Sequence, residues 1–474
     1  MKFGKPLAGA AAIAVLVAAA LPARAVDLLS VYDQALVNDP QIREAEANRR
    51  AQRESRPQAI GALLPQITAS AGRSRTWSDG TGFQEFTFVD PITGIAEARR
   101  SDSGGDAINN NDQWGLQIRQ SVFSWQNWMT LRRANHEVAQ AEADYLAQLQ
   151  GLAQRVAQQY FAVLQARDTV EAQEAALEAI NRQLEQADRR FEVGLIAITD
   201  VQEARAERDS AAAAVIAAKR QLASTEEQLR ATIGEKPTTL NEPSEDMPLL
   251  SPDPMNEEDW VRTSMEQNAT LISSRLAADI ARENVRSTFG GHLPSVDLVA
   301  GRTYSDADGK RDLSGELTRS ASESYGKSLA LQFSLPVFSG GATQSRVRQS
   351  QQQWIAAKER LERTSRSTER EARDAYLGVI SEIARVQALK QALESSRTAL
   401  AATEAGYEVG TRTAVDVLNS RRLLIQAQTN YSSAKYSYLN NLIQLRLAAG
   451  DLDRGTLEAI NRWLTEQPTP PPAQ

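Results

Sequence analysis

Residues able to do covalent or redox chemistry are scarce in this chain of 474 residues. It has no cysteine and only two histidines, His136 and His292, far apart in sequence. A disulfide, a redox pair and a thiolate metal site are therefore excluded; neither histidine suggests a metal site, and no plausible His-centred triad is present. No Gly-Lys-Ser/Thr loop offers a phosphate cradle. The polar groups worth weighing lie in two short runs, GLIAITD at residues 194–200 and GTRTAVD at residues 410–416. Each begins with a glycine of the kind that ends a helix, Gly194 and Gly410. Each ends with a carboxylate near the start of the next helix, Asp200 and Asp416, where it can cap the helix or answer its dipole. Chemistry open to such groups is reversible hydrogen bonding and attraction of ions. The sequence points to no catalytic residue, no metal and no cofactor.

Those two runs sit in a long internal repeat. The segment RRFEVGLIAITDVQEARAER returns as AGYEVGTRTAVDVLNSRRLL, 216 residues later, and Gly234 returns as Gly450 at the same offset. A period this long is a duplicated half-protein rather than a solenoid of small units. The reading divides the chain into a first repeat over residues 26–234 and a second over 256–450. Between them, residues 235–255 carry five prolines and form an irregular connector, since no helix tolerates that density. Residues 451–474 are a C-terminal segment with a Pro-rich tail that is expected to be disordered.

Residues 1–25 read as a signal peptide: Lys2 and Lys5, an apolar stretch over residues 7–21, then Ala23-Arg24-Ala25 as a small-x-small cleavage site. The apolar stretch is shorter than the roughly 20 residues a spanning helix needs. Removing Lys2, Lys5 and Arg24 takes the 53 basic residues to 50 against 60 acidic ones, a net charge of −10. That balance argues against a nucleic-acid partner. No later stretch approaches the length of a transmembrane helix, so any entry into a membrane must use strands.

Each repeat has the same order of elements. The first opens with a helical pattern over residues 28–60, then alternating runs at 66–71 and 114–119 separated by a polar loop over 78–112. The second has a helix over 259–288, alternation at 296–298 and 329–335, and a loop over 305–324. One face of these strands is apolar and the other small or polar, as in membrane barrels with a wet lumen. Trp77, Trp114, Tyr304 and Tyr325 lie near strand ends, as in an interfacial girdle. An ordinary half-buried sheet alternates in the same way. Four strands, however, cannot close a barrel within one chain. Long heptad patterns follow: Val156, Val163, Val170, Leu177, Leu184 and Phe191, then Ala372, Val379, Val386, Leu393, Leu400 and Tyr407. A sustained seven-residue spacing predicts left-handed coiled coils. Residues 124–193 would give roughly 105 Å of helix, and 199–233 about half that.

The segments VDLLSVYDQALVNDP, GHLPSVDL, LQFSLPVFSGG, VGLIAITDVQ and YEVGTRTAVDVL, in that order, closely resemble the TolC-type outer-membrane efflux proteins. The resemblance covers nearly the whole chain after residue 25. It implies an α+β membrane protein in which duplicated half-units give four barrel strands plus long coiled-coil helices. Three chains would complete a trimeric 12-stranded β-barrel in the bacterial outer membrane, continued by a periplasmic α-helical tunnel. Expected partners are two further copies, outer-membrane lipid, a periplasmic adaptor, and an inner-membrane RND, ABC or MFS transporter. The function implied is a passive exit duct for efflux or type I secretion. The competing readings are the adaptor itself, which would lack barrel strands, a structural coiled-coil surface protein, which would not need paired strands, and a degradative enzyme, for which no site exists.

By the same resemblance, Thr199 and Asp200 accept bonds from Arg412 and Tyr407 on a neighbouring coil and latch the closed entrance. Exposed links of this kind contribute about 1 kcal/mol or less each, as a reversible latch requires. Asp416 would line the constricted entrance as a selectivity ring, with helix-start stabilisation as the competing role. Asn419 stands where the family has a second aspartate, a departure that predicts weaker block by multivalent cations. Gly194 and Gly410 would form the tip turns.

Overall fold

The computed structural model describes residues 26–237, 239–244, 247–313 and 316–465. The expected signal peptide and Pro-rich tail lie outside them. The described residues divide into two compact units, one of Ala47–Ala143 and Ile272–Thr364, the other of residues 26–46, Asp144–Leu271 and residues 365–465.

The first of these units holds an antiparallel sheet ordered β1-β4-β6-β7, from β1 (Gln66–Ser78), β4 (Ala107–Ser124), β6 (Ser295–Leu313) and β7 (Glu316–Ser334). Among the described residues both outer strands, β1 and β7, keep one edge without a partner strand in the sheet. The register aligns Ile67, Ile118, Ala300 and Leu329 in one row, and Ala71, Trp114, Tyr304 and Tyr325 in another on the same face. Trp114 stacks on Tyr304 at 6.0 Å, and Tyr304 meets Tyr325 at 5.0 Å between ring centroids. The opposite face presents Thr68, Ser70, Gln117, Gly115, Gly301, Thr303, Ser328 and Gly326 in register.

Two expected loops are strands instead. Residues 78–112 contain the hairpin β2 (Thr81–Val89) and β3 (Ala96–Gly104), with a turn at Asp90 whose carboxylate accepts from the Ile92 amide at 2.7 Å. Residues 305–324 simply extend β6 and β7. Polar, Gly-bearing composition concealed them, but the backbone ladder pairs N–H and C=O whatever the side chains are.

In the other unit, the expected helix over 28–60 begins as α1 (Leu28–Asn38) and breaks at Asp39, which is extended before Pro40 opens α2 (Pro40–Arg53); α3 (Ser55–Gly61) follows in the sheet-bearing unit. Proline supplies no N–H and disfavours helix in the residue before it, so it fits the first position of a new helix. The Asp39 carboxylate takes the Gln41 amide at 2.7 Å and pairs with Arg155. The second repeat breaks at the matching place: α6 (Glu257–Gln267) stops at Asn268 and α7 (Ala269–Phe289) follows, with Asn268 accepting from the Leu271 amide at 3.0 Å. Both breaks hold the end of a long helix. Asn38 Nδ2 donates to the Ile233 carbonyl at 2.7 Å, and Ser264 Oγ to the Ala448 carbonyl at 2.5 Å.

The long helices are α4 (Trp125–Glu192), α5 (Ile198–Ile233), α8 (Ala342–Glu408) and α9 (Ala414–Ala449). Of the heptad positions, Val156, Val163, Val170, Ala372, Val379, Val386 and Leu393 are buried, whereas Phe191 is 41% exposed. The apolar core joins these helices to α1, α10 (Arg454–Asn461) and the connector. Within the connector, β5 (Glu242–Pro243) pairs with β8 (Leu464–Thr465). Tyr160 donates to the Asn241 carbonyl at 2.8 Å and Tyr438 to that of Leu250 at 3.1 Å, pinning the connector to the helices. Burial pushes the Tyr160 phenol well above its ordinary range, so it acts only as a neutral donor. Among the described residues no helix is long and apolar enough to cross a membrane.

Candidate functional site

Both glycine turns close in the same way. Gly194 and Gly410 adopt φ of +77° and +81°, the left-handed region that a Cβ disfavours. Leu195 N–H returns to the Arg190 carbonyl at 2.8 Å, and Thr411 N–H to that of Gly406 at 2.8 Å. A Cβ on either glycine would meet nothing within 4 Å, so backbone conformation alone selects them.

The helix starts that follow are not alike. In α9 the N-cap Thr413 and Asp416 form a complete capping box: Asp416 Oδ2 accepts from Thr413 N and Oγ1, both at 2.9 Å, and Thr413 Oγ1 accepts the Asp416 amide at 3.2 Å. The Thr413 amide and hydroxyl, helped by the Arg412 charge, hold the Asp416 carboxyl below the ordinary carboxylate range. In α5 the equivalent N-cap is Ala197, which has no side chain to offer. Asp200 is therefore not the cap that its position suggested. Among the described residues its carboxylate takes only a long bond from the Thr199 hydroxyl, at 3.5 Å.

Tyr407 and Asp200 line one narrow crevice, together with Gln186, Ile196, Ala414 and Leu418. Tyr407 lies under the Arg190 guanidinium, 4.8 Å from the ring centroid. Within one chain no hydrogen bond joins Tyr407 or Arg412 to Thr199 or Asp200, and among the described residues Arg412 has no ion-pair partner. Asn419 accepts from Arg422 at 3.1 Å on the exposed side of α9.

Two ties at this end were not anticipated. Arg421 pairs with Glu404 at 2.5 Å, and Arg205 lies 4.0 Å from Asp188. These pairs are equivalent under the 216-residue offset, each joining a long helix to its shorter neighbour. An acid and a base 17 residues apart, present twice, was the signal that could have found them. Beneath them Ala187, Val201 and Ala204 pack in the first copy, where Thr403 and Ser420 share a hydroxyl bond of 3.2 Å in the second. Among the described residues no group of three or more acidic or imidazole side chains is placed to hold a metal.

The outer membrane efflux protein model matches this chain twice, over residues 31–235 and 260–451. The chain belongs to the outer membrane efflux protein family. Among curated relatives, the outer membrane protein TolC of Escherichia coli K12 is 35% identical over 94% of this chain and 86% of its own length. TolC of Vibrio cholerae is 34% identical over 92% and 94%. The alkaline protease secretion protein AprF of Pseudomonas aeruginosa is 29% identical over 94% and 89%. The solved outer membrane protein VceC of Vibrio cholerae superposes with a TM-score of 0.70 at 20% identity, over 89% of this chain and 96% of that one.

The fold is thus the α+β one of outer-membrane efflux channels, built from duplicated halves that combine barrel strands with long coiled-coil helices. As a family member the chain is a non-enzymatic outer-membrane channel with a periplasmic extension, an exit duct for efflux and type I secretion. The adaptor, surface-protein and enzyme readings are set aside by this membership.

Proposed function

We propose that three copies of this chain form the duct, and that its periplasmic entrance is latched by contacts between the two unlike turns. The observation that carries the latch is the unequal use of the two carboxylates. Asp416 is occupied by its own helix start, while Asp200, above an alanine N-cap, is left to accept a donor from elsewhere. Arg412 and Tyr407 are the donors in this reading, reaching Thr199 and Asp200 on an adjoining coil. Asp416, kept ionised by its cap, contributes to a ring of negative charge that favours cations, and Asn419 leaves that ring single. Gly194 and Gly410 form the tip turns. The bare edges of β1 and β7 support closure with neighbouring copies, since an open edge within a membrane would be costly.

An adaptor and an inner-membrane transporter of the RND, ABC or MFS type open the latch on engagement and supply the energy. Residues 1–25 direct export as a signal peptide. The two stretches matched by the family model support reading residues 26–234 and 256–450 as repeats, with 235–255 as connector and 451–474 as a terminal segment. The test of the latch is single-channel conductance in planar bilayers. Arg412→Ser is expected to raise it; a trace identical to the unsubstituted channel would remove Arg412 from the latch.

A further inference from the structure

The face of the sheet that carries the aromatic row also carries two cations where a lipid-facing band should be apolar. In register along this face, the rows run Gln120–Leu298–Leu331, then Ile67–Ile118–Ala300–Leu329, then Ala69–Leu116–Arg302–Lys327, then Ala71–Trp114–Tyr304–Tyr325. Leu329 and Leu331 are 76% and 69% exposed, as expected of positions that face hydrocarbon. From Val296–Phe333 to the aromatic row is eight residues, roughly 27 Å of strand at about 3.4 Å per residue. Arg302 and Lys327 are directly opposed across β6 and β7, one row on the hydrocarbon side of the aromatic girdle.

Bare charges on such a face are destabilising, less so near the interface than at mid-depth. Both are exposed, and among the described residues neither makes an ion pair. The Arg302 guanidinium leans toward the girdle, 5.9 Å from the centroid of the Trp114 ring, the posture of a side chain reaching up to headgroup level. The next row outward is acidic, with Asp112, Asp306 and Glu323. There Arg73 pairs with Asp112 at 2.6 Å, and Tyr325 donates to Glu323 at 2.6 Å. This row repels a free anion approaching from water. A lipid meets no such barrier, because it arrives sideways with its acyl chains over the leucine rows.

We propose that Arg302 and Lys327 bind the phosphate headgroup of an outer-membrane lipid, with Trp114, Tyr304 and Tyr325 as its aromatic shelf. The guanidinium offers paired donors to the phosphate oxygens, the ammonium a second point charge, and the low dielectric of the interface strengthens both. The site rests on this sheet forming part of a membrane barrel.

The test uses the full-length protein in phosphatidylcholine vesicles containing bisphosphorylated lipid A, with bound lipid counted by native mass spectrometry after mild detergent extraction. The unsubstituted protein should retain lipid A and not its dephosphorylated form. Arg302→Gln with Lys327→Gln should lower retention roughly twenty-five-fold, about fivefold for each cation removed. Arg302→Lys, which preserves the charge, should retain most of it, and 10 mM inorganic phosphate should not displace it. Equal retention by the double variant, or equal retention of the dephosphorylated lipid, would overturn the proposal. Failure of the protein to float with the vesicles would remove the barrel itself, a result distinct from loss of lipid alone.

Discussion

Asp200 and Asp416 stand at equivalent places in the two repeats, and a single neighbour separates their fates. Thr413 draws Asp416 into a capping box; Ala197 leaves Asp200 without one. The sequence showed both carboxylates and both turns, but which of them would be spent on capping depended on the threonine three residues earlier. A carboxyl whose folded value lies below its ordinary 3.8 contributes stability that is present above that value and lost as pH falls through the lower one. Removing the Thr413 hydroxyl should therefore move the Asp416 value upward. In Thr413→Ala, loss of cation selectivity on acidification should set in at higher pH than in the unsubstituted channel, read from reversal potentials across a pH series. An unchanged series would mean that the cap does not govern this carboxylate. At Asn419, restoring a carboxylate by Asn419→Asp should strengthen block by multivalent cations, measured as the concentration that halves the current. Equal block in the two channels would contradict a single-ring entrance.

Among the elements, the expected helices over residues 124–193 and 199–233 match α4 and α5 to within a residue, because periodic burial over many turns outweighs local exceptions. Short-range punctuation was misread where tertiary pairing prevailed. Pro40 and Asn268 break helices that hydrophobic pattern alone joins, and the β2–β3 hairpin lies in a stretch whose composition suggested a loop. The glycines that follow the shorter helices carry a further demand. At Gly450, φ is +82° and an added Cβ would lie 2.5 Å from the Gln267 carbonyl oxygen; at Gly410, φ is +81° and the space is open. Gly410→Ala should cost only the left-handed strain, about 1–2 kcal/mol. Gly450→Ala should cost more, since helix α6 must also shift. Comparing denaturation midpoints of the two variants checks the order, and a larger loss for Gly410→Ala would reverse it. Asp39→Ala should also destabilise, by about 1–3 kcal/mol, because it removes the acceptor for the Gln41 amide and the partner of the partly buried Arg155.

At the scale of the whole molecule, the duplication supplies equivalent elements, and in the proposed latch the differences between copies supply the gate. Heptads, helix breaks and the Asp188–Arg205 and Glu404–Arg421 ties recur because both halves build the same kind of helical pair. Of the four residues in the proposed latch only Asp200 recurs, as Asp416; Thr199, Tyr407 and Arg412 align with Val415, Phe191 and Ile196 under the offset. The fold and family were legible from repeat length, strand alternation and the quoted motifs. The proposed bond between Asp200 and Arg412 came from the resemblance alone, since a bond between copies leaves no trace in one chain's local pattern. Single-channel conductance of Asp200→Asn, recorded beside Asp416→Asn, tests the unequal turns most directly. The account predicts that Asp200→Asn raises conductance as Arg412→Ser does, with no further rise in the double variant, while Asp416→Asn lowers cation selectivity without opening the channel. Opening by Asp416→Asn with no effect of Asp200→Asn would contradict it.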